Sequence, residues 1–108
     1  MNHLQIYEKF FENTKRLNIG DFVICKNEDP LTPKNIREFI ENTIGKYIEY
    51  NEDDGVDFRY IIKYDKPTKE FIEYENGFEY YCSRNEILYF SKNKKDLELI
   101  LNSKKYNL

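Results

Sequence analysis

The sequence predicts an α+β fold in which antiparallel strands, joined by short turns, are accompanied by a helix at each end and one inside the first long loop. Three observations predict it. Val56, Phe58, Tyr60, Ile62 and Tyr64 alternate with Asp57, Arg59, Lys63 and Asp65, the period of two that a half-buried strand requires. Two glycine pairs, Asp54-Gly55 and Asn76-Gly77, carry hairpin-turn chemistry between apolar runs. At both termini the apolar residues fall instead at helical spacing.

Taken in order, Leu4, Tyr7 and Phe11 follow i, i+3, i+7 and predict an amphipathic helix, capped by Asn2 and ended by Asn18 to Gly20. Gly20 to Lys26 is a short apolar run read as a strand. Thr32-Pro33 offers a capping hydroxyl followed by a proline at the first helical position, so Ile36, Phe39 and Ile40 belong to a short helix over about 33–43. The stretch 44–65 is a central hairpin. Only an odd loop length places its two apolar sets on one face. A three-residue turn, Asp53-Asp54-Gly55, then sets Tyr50 opposite Phe58, Ile48 opposite Tyr60 and Ile44 opposite Tyr64, and a five-residue turn also fits.

Glu70 to Glu75 and Phe78 to Cys82 read as a second hairpin about a type I′ Asn76-Gly77 turn. Both its faces are mixed: Ile72, Tyr74 and Tyr81 on one, Phe71, Phe78, Tyr80 and Cys82 on the other. Ser83 to Asn85 makes a short break before a last strand, Glu86 to Ser91. Asn93 caps a final helix to about Lys105, with Asp96 in its first turn and Lys104 and Lys105 in its last, charges that suit the helix dipole. The 108 residues form one expected domain: an N-terminal helix (1–18), a β part (19–91) and a C-terminal helix and tail (92–108).

Ile19-Gly20-Asp21-Phe22-Val23-Ile24, Ile44-Gly45-Lys46 and the Ser83-Arg84-Asn85 break before Glu86-Ile87 carry a resemblance. In this order they resemble the first strand, the strand after the long loop and the helical turn before the last strand of Src-homology-3-like small barrels, the KOW, Tudor and chromo-type modules. The resemblance spans about 19–91. It implies a small antiparallel β-barrel of five to six strands with the helices outside it. The chain lacks the Trp and acidic loop of peptide-binding members, so proline-rich peptide binding is not implied. In style it also resembles small proteins of low-GC phages and large DNA viruses. Its Ile, Lys, Asn, Tyr, Phe and Glu use mostly A- and T-rich codons, and it has no Ala and no Trp.

Chemistry is harder to find. His3 is the single histidine and lies in the N-terminal tail, which leaves no Ser-His-Asp or Cys-His pair to assemble. The acidic cluster Glu49, Glu52, Asp53, Asp54 and Asp57 fails the EF-hand spacing. With Gly55 as the loop glycine, position one falls on Tyr50 and position twelve on Ile61. Cys25 and Cys82 form no CxxC and read as two half-buried free thiols. No Gly-rich phosphate loop is present. The expectation is a non-enzyme without catalytic residues, metal or cofactor.

A charged fraction of 34% with net charge −3 disfavours general affinity for nucleic acid backbones. No apolar run approaches the roughly 20 residues that span a bilayer, and no signal-peptide pattern is seen. The expected place is therefore the cytoplasm, or the interior of a host cell. Codon usage alone accounts for ten tyrosines, but with no catalytic groups the aromatic-rich strands lead to one expectation: a binding module that contacts another protein, virus- or phage-encoded and aimed at a host factor. Its candidate residues are Tyr47, Arg59, Ile61 and Lys63 on the outer face of the central hairpin, with Tyr81. The alternative is nucleic-acid binding through Arg59, Lys63, Lys46 and neighbouring tyrosines.

Overall fold

The computed structural model describes residues 16–51 and 60–106. Their elements are β1 (Phe22–Cys25), α1 (Lys34–Asn42), β2 (Gly45–Tyr50), β3 (Tyr60–Lys63), α2 (Lys69–Glu75), β4 (Glu79–Cys82), a 3-10 turn (Arg84–Glu86), β5 (Ile87–Ser91) and α3 (Lys94–Tyr106). The expected N-terminal helix and the Asp53–Gly55 turn lie outside the described residues.

The five strands form one antiparallel sheet in the order β4-β3-β2-β1-β5. The expected barrel is not what the chain forms. β4 and β5 pair with one neighbour each and not with each other, so the sheet stays open. It is nevertheless curled. Cys25 of β1 and Cys82 of β4 belong to one buried core cluster although two strands separate them, a span of about 14 Å in a flat sheet. On the concave face Val23, Tyr47, Ile62, Tyr64, Tyr80 and Phe90 form the main core, with Ile36 and Ile40 of α1 and Phe71 of α2. On the other face α3 lays Leu97 and Ile100 over Ile24, beside Phe22 and Tyr89.

The largest departure from the sequence reading is α2. Residues 69–75 are a helix, not the first strand of a hairpin. The Thr68 hydroxyl accepts a hydrogen bond from the Phe71 amide, 3.2 Å, and so caps the first turn. Asn76 adopts the left-handed conformation, and the Gly77 amide returns to the Ile72 carbonyl. Asn-Gly supplies positive φ, which a type I′ turn and a helix C-terminus both require. Here the helix takes it. The mixed faces of the expected hairpin have the same origin, since Phe71 is buried while Tyr74 is exposed.

The central ladder also differs. Tyr50 pairs with Tyr60, Glu49 with Ile61, Tyr47 with Ile62 and Lys46 with Lys63, and the register shifts between Tyr47 and Glu49. Ile48 is the extra residue of a β-bulge. The bulge lets Tyr47 and Tyr50, three positions apart, both pack toward the core. A face-matching argument that assumes an unbroken pleat cannot arrive at this register. At the N-terminus of α1 the structure also differs: Pro33, not Thr32, is the cap residue, and no side chain bonds there.

Gly45 opens β2 where no side chain fits. A Cβ there would lie 2.5 Å from Ile62 Cγ2 and 2.9 Å from Tyr64 Cε1. Gly45→Ala is therefore expected to cost about 1–3 kcal/mol by overpacking, partly offset by about 0.5 kcal/mol from a stiffer unfolded chain. A lowered urea midpoint with an unchanged slope would show it.

Candidate functional site

The expected site residues do not form one surface. Tyr47 is 5% exposed and belongs to the core, its ring 5.4 Å from that of Tyr60, because the bulge turns it inward. This corrects its expected outward placement. Ile61 does lie on the outer face, opposite Tyr81, but is 4% exposed. Lys63 is exposed, and Tyr81 is 46% exposed. Arg59 lies outside the described residues.

Tyr81 gains meaning from its strand. β4 pairs only with β3, and the Tyr64 amide donates to the Phe78 carbonyl at 2.9 Å. In an antiparallel ladder hydrogen-bonded pairs alternate, so Tyr80 and Cys82 face β3, while Glu79 and Tyr81 turn their N–H and C=O groups outward. Among the described residues no strand meets that edge. Tyr74 (45% exposed) and Phe78 (43%) flank it with Tyr81, giving three large rings beside an open strand. The opposite edge, β5, is interrupted by a bulge at Leu88, a usual defence against edge pairing. β4 has no such break.

Next to the edge lies a cleft of about 520 Å³ that includes Glu28, Asp29, Tyr74, Glu75, Tyr80 and Glu86. Its acidic floor is a built network. Glu86, 4% exposed, accepts from the Tyr80 hydroxyl at 2.8 Å and from the amides of Glu28 and Ser83, each at 3.1 Å. Asn27 Nδ2 donates to the Tyr80 oxygen at 3.2 Å. The Ser83-x-x-Glu86 spacing is a capping box, the one sequence signal of this network, where the sequence alone predicts only a break. Burial, then the Glu86 hydrogen bond, push the Tyr80 phenol far above its ordinary 10.0. Burial also raises Glu75 above the usual carboxylate value.

No family model, curated protein or solved structure matches this chain. Among the described residues no three His, Cys, Asp or Glu side chains converge as metal ligands, and no helix is long and apolar enough to cross a membrane. Cys25 and Cys82 are fully buried rather than half-buried. Their mutual hydrogen bond, then burial, raise the Cys25 thiol well above 9.0, which keeps it protonated and a poor nucleophile.

A second cleft, of about 420 Å³, opens on the outer face of the sheet. Phe22, Ile44 and Ile48 give it apolar walls, and Lys46, Lys63 and Lys94 line it. The Lys46 ammonium sits 5.9 Å from the centre of the Phe22 ring. Lys94 contributes to this cleft from α3, a role its position in the sequence does not announce.

Proposed function

We propose that the protein is a non-enzymatic binding module that takes an extended segment of another protein along the open edge of β4. The outward N–H and C=O groups of Glu79 and Tyr81 carry this reading, since they supply main-chain hydrogen bonds ready for strand addition. Tyr74, Phe78 and Tyr81 would cover the added strand with rigid, amphipathic area. Glu28, Asp29 and Glu75 in the adjacent cleft favour a segment with Lys or Arg at alternate positions. The strand order, with its 3-10 turn before the last strand, supports the kinship with Src-homology-3-like modules that the sequence suggests. On this reading the chain acts in a cytoplasm on a host protein, as a product of a low-GC phage or virus.

A library of extended peptides tests it. Basic, alternating peptides are expected to bind at physiological salt, and Tyr81→Ala to weaken them about tenfold without lowering the melting temperature, as truncation of an aromatic anchor does. A library with no binder, or binders indifferent to Tyr81→Ala, would remove the proposal.

A further inference from the structure

We infer that the outer cleft between β2, β3 and the start of α3 is a binding site for an organic phosphate, held by Lys46, Lys63 and Lys94 with its apolar or ring portion against Phe22, Ile44 and Ile48. It is independent of the β4 edge. Three local rules of stability are broken at this one place. Lys46 and Lys63 stand directly opposite each other across β2 and β3, where like charges repel. Lys94 is the first residue of α3, at the end of the helix that disfavours cations. Among the described residues none of the three forms an ion pair, although Asp65 also lines the cleft and Glu79 is the cross-strand neighbour of Lys63. Glu79 instead accepts from the Tyr81 hydroxyl at 3.4 Å.

Broken rules gathered at one cavity are the signature of a site rather than of a scaffold. A dianionic phosphate would relieve all three together, accepting charge-assisted hydrogen bonds from the ammonium groups and meeting the positive end of α3. A bare inorganic anion would leave the walls of Phe22, Ile44 and Ile48 unused. A nucleoside phosphate uses both, and the cleft brings Lys46 and Lys63 of the nucleic-acid alternative together with Lys94. The overall charge of −3 is no obstacle, because screening confines the interaction to about 10 Å at 0.1 M salt.

Calorimetric titration of the whole chain tests the assignment, with adenosine 5′-monophosphate, adenosine, inorganic phosphate and a single-stranded oligothymidine as probes at low salt. The mononucleotide is expected to bind more tightly than either of its parts, and Lys46→Gln, Lys63→Gln and Lys94→Gln each to weaken it about fivefold. Preference for the mononucleotide over the oligomer identifies a free ligand. Salt-sensitive preference for the oligomer identifies a strand, and both support the site. Lys63→Gln should also leave the melting temperature unchanged or raised, since it relieves repulsion. No binding by either nucleotide probe overturns the inference, and so does binding that the three substitutions leave intact. Equal binding of inorganic phosphate and the mononucleotide overturns the role of the apolar walls.

Discussion

Replacing Phe71 by Ala is expected to destabilise the fold by about 3–5 kcal/mol, against a total of about 5–15 kcal/mol for a typical domain. Phe71 is fully buried, with ring centroids 4.8 Å from Phe39 and 5.3 Å from Tyr64, which themselves pack at 5.0 Å. It is the buried residue through which α2 is anchored over the concave face of the sheet. Phe78→Ala provides the contrast. As a strand pair about Asn76-Gly77, Phe71 and Phe78 would share a face and cost similar amounts. With α2 a helix, Phe78 is exposed and its truncation should cost under about 1 kcal/mol. Urea melts of the two variants decide between these arrangements, provided the slope stays constant.

The second large effect concerns Glu86. Glu86→Ala leaves the Glu28 and Ser83 amides without their acceptor and the Tyr80 hydroxyl with only the Lys26 carbonyl at 3.2 Å, an expected cost of about 3 kcal/mol. Tyr80→Phe keeps the ring and removes its bonds with Glu86 and Asn27, for about 1–3 kcal/mol. The same groups set the alkaline limit of the fold. Tyr80 and Tyr64, both raised first by burial, and Cys25, raised first by its hydrogen bond with Cys82, all hold folded pKa values above their ordinary 10.0 and 9.0. Their unfolded forms therefore release protons first. The stability these three groups contribute is full below pH 9.0 and is lost as pH rises through 10.0 and beyond. Tyr80→Phe should flatten that decline in melts taken from pH 7.0 to 11.0. A decline equally steep in the variant would show that Tyr80 is not among the groups responsible.

Where the chain's pattern had a single structural meaning, it could be read. Phe22 to Cys25, Tyr60 to Lys63 and Ile87 to Ser91 are apolar or alternating runs bounded by turn chemistry, and each is a strand. Where one residue pair serves two structures, the reading failed. Asn76-Gly77 closes a helix as readily as a hairpin, and only the docking of Phe71 between Phe39 and Tyr64 selects the helix. Bulges are invisible to periodicity because each is a break in it. Ile48 thereby reverses the placement of Tyr47, and Leu88 does the same service at β5. The open sheet is a third case, since short strand motifs do not say whether the two edges meet. Of the expected site residues, Tyr81 and Lys63 were legible as exposed strand positions. The outward edge of β4 and the contribution of Lys94 come from pairing and packing, which spacing alone does not reveal.

Amide hydrogen exchange on the isolated protein tests the central claim, that β4 offers an unpaired edge. Slow exchange is expected for Tyr80 and Cys82, whose amides face β3, with fast exchange for Glu79 and Tyr81 on either side of Tyr80. Protection of Glu79 and Tyr81 equal to that of Tyr80 would mean that the edge is already occupied, and would contradict the account.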